Sequence, residues 1–371
     1  MTGLATPPFE PPPSETPPSE ITPSEITPFE HDIAEQPEAL RRLAEGAPPQ
    51  FQAITGRSWT RIVLTGMGSS HFAGIPTWRH LIALGHQAWA VDTGQLLDDE
   101  RLLTPDTLLI ATSQSGASGE ITELLARQRS GRITPAAVVG ITDDETSPLA
   151  RAADVLLPLH SGPEATVSTK SYVNTLAVHR MLRAAFSGDD VEPIRRGELR
   201  AVATTVQAVL DDPHPRAELA RAARATAHHP ARRLSYLGSR DTAATALFAA
   251  LITKESAKVA AEGYVGGQFR HGPFELAGDG HTAMLFFPHD DPADPSLRRL
   301  ATDLVKSGSQ VIVIGGAETE ATVTLPVAEP AALAGMASGV VMAELFAVEL
   351  ARANGVVPGA FIHGSKITTT I

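Results

Sequence analysis

Thr107-Leu108-Leu109-Ile110-Ala111-Thr112, then Ser113-Gln114-Ser115-Gly116-Ala117-Ser118, then Glu120-Ile121-Thr122-Glu123-Leu124-Leu125 is the stretch that decides how this chain folds. The first six residues form an unbroken apolar and β-branched run, as a strand buried on both faces requires. The last six carry apolar side chains at helical spacing. Between them lies a small turn rich in hydroxyls. Strand, turn and helix start in that order make an anion cradle. The first amide N–H groups of a helix lack intrahelical acceptors, and the helix dipole favours negative charge beside them. The turn holds no lysine, which excludes a Walker-type loop. A phosphate is the anion expected here; the alternative is an ordinary Ser/Gly-rich connection.

Working outward, further apolar runs at 61–65, 88–91, 136–141 and 155–159 alternate with helix-like segments. That alternation is the pattern of a doubly wound, parallel α/β sheet. A segment from about 191 to 229, rich in Ala and Arg and helical in pattern, connects this half to a second one. There the pattern restarts. Leu234-Ser235-Tyr236-Leu237-Gly238 matches Ile62-Val63-Leu64-Thr65-Gly66 in character, and later strands are expected at 283–287, 310–314 and 323–327. A divergent internal repeat follows, with two flavodoxin-like sheets flanked by helices. Ligands in such sheets sit beyond the carboxyl ends of the strands, where both 66–70 and 113–118 lie.

A length of 371 residues fits roughly two domains. The expected divisions are a leader at 1–28, units at 29–200 and 201–355, and a tail at 356–371. The leader repeats Pro-Ser-Glu-Ile-Thr from Pro18 and from Pro23, and Pro11-Pro12-Pro13-Ser14-Glu15 makes the repeat imperfect. Such a segment has too few apolar groups to offset its ordering entropy and is expected to be disordered. The formal charge of -12 argues against nonspecific nucleic-acid or anionic-membrane binding, though a local pocket can still hold an anionic substrate. Cysteine is absent, which removes disulfides, thiolate metal sites and thiol nucleophiles. No basic-then-apolar leader is present, and no uninterrupted apolar run approaches membrane-spanning length. The expectation is a soluble, cytoplasmic chain with neither nucleic acid nor membrane as partner.

Several separate segments together resemble the sugar-isomerase (SIS) family over about residues 30–371, in particular the isomerase half of glucosamine-6-phosphate synthase. They are Glu35-Gln36-Pro37, Gly66-Met67-Gly68-Ser69-Ser70, Ser113-Gln114-Ser115-Gly116, Ser168-Thr169-Lys170, Lys254-Glu255, Arg270-His271-Gly272-Pro273 and Lys366 in the tail. The resemblance implies two SIS domains and a sugar-phosphate site lined by Ser69, Ser70, Ser113, Gln114, Ser115, Ser118 and Thr166. Ser69 and Ser118 stand where the synthase usually has threonine, and both keep the hydroxyl.

It also implies catalytic roles. Glu255 would shuttle a proton between C1 and C2 of an open-chain sugar, a task that suits a partly desolvated carboxylate. His271, in a Gly/Pro-framed turn, would assist ring opening from the neighbouring subunit of a homodimer. Lys366 would form an imine with a ketose carbonyl while the tail closes over the site. Neither a cofactor nor a metal is called for, since carboxylate and imidazole suffice for the proton transfers.

The chain departs from the synthase in two respects. A leader of about thirty residues stands where the synthase carries a glutaminase domain, and there is no cysteine to serve one. A lysine and a glutamate that precede the catalytic glutamate on its helix are replaced by Ile252 and Phe248. The departures point to a relative that has lost one proton-handling group or binds a different sugar. The leading expectation, from similarity to SIS-type deaminases, is an amino-sugar phosphate deaminase/isomerase that converts glucosamine 6-phosphate to fructose 6-phosphate and ammonia. The alternatives are an aminotransferase/isomerase using free or partner-supplied ammonia, a deglycase of fructosamine phosphates with Phe248 and Ile252 accommodating the larger substituent, and a non-catalytic sugar-phosphate sensor.

Overall fold

The computed structural model describes residues 26–288, 291, 294–316, 319–327 and 332–370. The leader anticipated at 1–28 lies outside them except for its last three residues. Among the described residues, ten strands form two sheets: β1 (Arg61–Gly66), β2 (Ala88–Ala90), β3 (Thr107–Thr112), β4 (Ala137–Thr142) and β5 (Val155–Pro158), then β6 (Arg233–Gly238), β7 (Glu262–Val265), β8 (His281–Phe286), β9 (Gln310–Ile314) and β10 (Val323–Leu325). All pairings are parallel. The first sheet runs β2-β1-β3-β4-β5 and the second β10-β9-β8-β6-β7. Read from its own first strand, the second sheet has the same order as the first. The internal repeat expected from 62–66 and 234–238 is therefore present as repeated topology.

Every residue of β3 and β4 is buried, because helices cover both faces of the sheet. Register then fixes the geometry of the ligand edge. Gly66 sits opposite Thr112, Thr112 opposite Ile141, and Thr142 opposite Pro158. The loops following β1, β3, β4 and β5 thus emerge side by side. The chain reverses direction across the sheet between β1 and β3, where a ligand crevice is expected.

The two halves share one core. Tyr172, on helix Lys170–Ser187, stacks on Phe248 of helix Thr242–Ala257 with ring centroids 3.9 Å apart and planes 6° from parallel. The Tyr172 hydroxyl donates to the Ala244 carbonyl at 2.9 Å. Ile252 is fully buried on the same helix. Phe248 therefore packs the core between the halves, and Phe248 and Ile252, both 0% exposed, present no surface to a larger sugar substituent. Helix Ala332–Ala353 packs on Pro213–His228, Leu199–Asp211 and Thr242–Ala257. It is long and apolar enough to cross a membrane by length and composition, and 89% of its most apolar window is buried within the protein.

In the second half, helix Thr242–Ala257 ends where Lys258 takes a left-handed conformation (φ 56°). The released chain then forms β7. Glu262-Gly263-Tyr264-Val265 has little apolar character because it is an edge strand, partly exposed along its length.

One glycine is fixed by its surroundings. Gly116 has φ 60°, and a Cβ there would lie 2.1 Å from Ser147 Oγ and 2.8 Å from Thr142 Oγ1. Gly116→Ala is expected to destabilise the chain by about 1–3 kcal/mol, as overpacked sites do. It should also displace the turn after β3, and denaturant titration would register the loss of stability.

Candidate functional site

The turn after β3 is held from below and left open above. Ser113 N–H donates to Ile141 O at 3.0 Å, and Gly116 N–H to Ser113 O at 3.0 Å. The Gln114 carbonyl accepts from Asp143 N–H at 3.0 Å and from Thr142 Oγ1 at 3.1 Å. Ser118 is the N-cap of helix Gly119–Arg129 in an extended conformation, yet its hydroxyl makes no capping bond. It is left available to a ligand. The neighbouring turn after β1 starts helix Ser69–Ala73, and Ser69 Oγ donates to Ser168 Oγ at 3.1 Å.

These hydroxyls converge on a cleft of about 270 Å³ lined by Ser69, Ser70, Ser113, Gln114, Ser115 and Ser118 together with Glu255 and Lys366. Eight of the ten candidate residues thus share one site. Glu255 arrives from the second half because helix Thr242–Ala257 packs on helix Ser69–Ala73. Burial raises its carboxyl above the usual glutamate range, and the charges of Lys366, Lys258 and Lys254 oppose the rise only partly. A carboxylate of raised basicity is suited to take a proton from carbon.

Lys366 arrives from the tail. Thr368 O accepts from the first helical amide, Gly119 N–H, at 3.0 Å, so the tail lies across the mouth of the anion cradle. Lys366 Nζ bonds Glu164 Oε2 at 2.5 Å. The Glu164 carboxylate is fully buried and accepts four further bonds, from Thr169 N–H and Oγ1 and from Ser171 N–H and Oγ. Burial alone would raise its pKa; the Lys366 charge and the Ser171 donors outweigh that and hold it below the usual range.

Thr166 and His271 stand apart. Thr166 Oγ1 is buried with no hydrogen-bond partner among the described residues, against Gly359 rather than in the cleft. The preceding Ala165 N–H is bound to Asp32 Oδ2 at 2.8 Å, which fixes the backbone there. Ser168, two residues on, is the hydroxyl that reaches the cleft. His271 is exposed after the short helix Gly266–Arg270 and does not line the cleft within its own chain. Lys170 is not at the cleft either. It is buried between Asp32 Oδ1, at 3.0 Å, and Glu35. His31 joins those two carboxylates in the one metal-like cluster among the described residues, and the Lys170 ammonium already bonds both carboxylates.

Glu164 is the functional residue that sequence reasoning missed. The available signal was its place just beyond β5, within Ser161-Gly162-Pro163-Glu164, on the ligand edge of the sheet. Its pairing with a residue 202 positions away carries no local pattern.

Residues 57–185 match the profile of the SIS domain. Those residues form a SIS domain. Along 87% of its length it is 27% identical to glutamine–fructose-6-phosphate aminotransferase (isomerizing) of Leifsonia xyli, of which it covers 56%. It spans about half the length of the curated relatives it matches. Among solved structures, the C-terminal domain of glucosamine-fructose-6-phosphate aminotransferase from Francisella tularensis superposes with a TM-score of 0.78 at 17% identity, over 90% of this chain and 98% of that one. Glucosamine-6-phosphate deaminase from Thermotoga maritima gives 0.69 at 19% identity, over 92% and 99%. At those identities the two structures establish the fold.

Proposed function

We propose that the chain is an amino-sugar phosphate deaminase/isomerase, acting on glucosamine 6-phosphate to give fructose 6-phosphate and ammonia. The observation that carries this reading is Glu255, a carboxylate of raised pKa in the same cleft as the hydroxyl turns and Lys366. The phosphate is held by Ser113, Ser115 and Ser118, whose hydroxyls and amides make charge-assisted bonds. Glu255 takes the proton from C2 of the opened sugar and returns it to C1, leaving an imine at C2 that water hydrolyses. The second half, 201–355, serves as a second SIS unit, and a second copy of the chain supplies His271 for ring opening.

The test is ammonia release from glucosamine 6-phosphate measured alongside fructose 6-phosphate. Equal appearance of the two is the expected result; sugar-phosphate binding without either product overturns the reading. Since the ionised form of Glu255 does the abstraction, kcat/KM should rise with pH along an acid limb lying above the ordinary glutamate value of about 4.3. Initial rates at saturating and limiting substrate across pH 4–8 would locate that limb.

A further inference from the structure

The Glu164 carboxylate is built to stay charged. It stands at the N-terminus of helix Lys170–Ser187, where Thr169 N–H and Ser171 N–H donate to Oε1 at 2.8 and 3.0 Å. Thr169 Oγ1 donates to the same oxygen at 2.9 Å, and Ser171 Oγ donates to Oε2 at 2.7 Å. Four donors and the positive end of a helix dipole all favour the anion. Its side chain is 0% exposed, so the charge has to be met inside the protein. Among the described residues the cation that meets it is Lys366, whose Nζ bonds Oε2 at 2.5 Å.

Two anchors set where that ammonium stands. Glu164 holds its head, and Thr368 O, accepting from Gly119 N–H at 3.0 Å, pins the chain two residues on. Lys366 lines the cleft beside Glu255 and is the one cation among the described residues that do so. Of the three lysine charges that act on Glu255, its own acts most strongly. The Glu255 carboxylate makes no hydrogen bond among the described residues. The cleft therefore offers a fixed positive charge and a free carboxylate to the same substrate. An amine attacks a carbonyl through its lone pair, which an ammonium lacks. Taking the proton from Lys366 would strand the buried Glu164 charge, as breaking any buried ion pair does.

We propose that Lys366 remains an ammonium throughout the reaction and stabilises the negative charge that develops on the substrate's carbonyl oxygen, with Glu164 as the positioning residue that keeps it charged. The inference rests on reading the cleft as an amino-sugar phosphate site. Glu255 takes the proton from C2, and the electron pair passes through C1 to its oxygen, which Lys366 faces as a preorganised donor. The nitrogen lone pair then forms a C–N double bond as Glu255 returns the proton to C1. The oxygen takes the proton that the nitrogen loses in becoming a neutral imine. Water adds at C2, its oxygen stays as the new carbonyl, and its hydrogens leave with the nitrogen as ammonia. No bond forms between substrate and lysine.

The experiment treats the full chain, saturated with fructose 6-phosphate, with sodium cyanoborohydride, which fixes a lysine imine as a mass gain of one reduced sugar phosphate. The expected result is no such gain on the Lys366 peptide; a gain there overturns the inference. Lys366→Arg keeps the charge and cannot form an imine, so it should lower kcat only about tenfold, whereas Lys366→Met should lower it about 10²–10³, the range for losing one oxyanion donor. An Arg variant as inactive as the Met variant overturns the inference. Glu164→Gln frees the lysine to lose its proton, so the adduct should now appear, with kcat down at least tenfold and KM within about threefold of the parent. A folded Glu164→Gln chain showing neither change overturns the role of Glu164; if that chain does not fold, the Arg and Met variants decide. A parent that binds fructose 6-phosphate without releasing ammonia from glucosamine 6-phosphate overturns the deaminase reading, and trapping still decides the state of Lys366. A parent that binds no sugar phosphate overturns both.

Discussion

Glu255→Gln is expected to lower kcat by about 10²–10⁴, the usual contribution of a positioned acid–base group. The amide keeps the size of the side chain and its place on helix Thr242–Ala257, while losing the ability to accept and return a proton. Two features make the change informative. Burial is what raises the Glu255 carboxyl, so replacement by a neutral group removes a desolvation cost and leaves the fold intact. The phosphate turns come from the other half of the chain, so fructose 6-phosphate should bind the variant with an affinity close to that of the parent. Loss of turnover together with retained binding and unchanged denaturant midpoint is the expected pattern. A variant that keeps a near-normal rate rules out Glu255 as the proton carrier.

Lys170→Met should be the most destabilising single change, at about 3–5 kcal/mol, the range for removing one partner of a buried ion pair. Lys170 is 1% exposed and lies between Asp32, itself 4% exposed, and Glu35. Burial by itself would lower the lysine pKa; its bonds to Glu35 and Asp32 reverse that and raise it above the ordinary value. A raised lysine contributes stability that is present at neutral pH and lost only as pH climbs through the folded-state pKa. The penalty should therefore be full at pH 7 in a urea titration. It should reach the site as well. Asp32 also accepts the Ala165 N–H, next to Glu164, so freeing Asp32 loosens the segment that holds Lys366. A midpoint within error of the parent at pH 7 would show that the cluster is not a structural tie.

The architecture was legible because buried parallel strands announce themselves. The runs at 61–65, 107–112 and 310–314 are continuous and apolar, and each became a strand at nearly those positions. β7 was not legible, since a half-exposed edge strand containing Gly263 lacks that signature. At the cleft, hydroxyl turns on a strand-to-helix junction are a local pattern, and Ser69, Ser70 and Ser113–118 could be read from it. Glu255 and Lys366 depended on the family resemblance, and the cleft does contain both. Glu164 and the Asp32–Lys170–Glu35 cluster depend on contacts between distant segments, for which one sequence carries no period or spacing. Phe248 and Ile252 misled for the same reason: their helix faces a neighbour as well as the cleft.

The Tyr172–Phe248 stack has a consequence for dissection of the molecule. Each ring completes its environment only when the opposite half is present, and the Tyr172 hydroxyl loses its acceptor when the chain is cut. Fragments ending near residue 200 and beginning there would each present a wide apolar face to water. Expressed separately they should aggregate, and expressed together they should reassociate into one particle. The duplicated topology therefore yields a single obligate cooperative unit, and proteolytic nicking of the 188–193 connection should leave that unit sedimenting as the intact protein does.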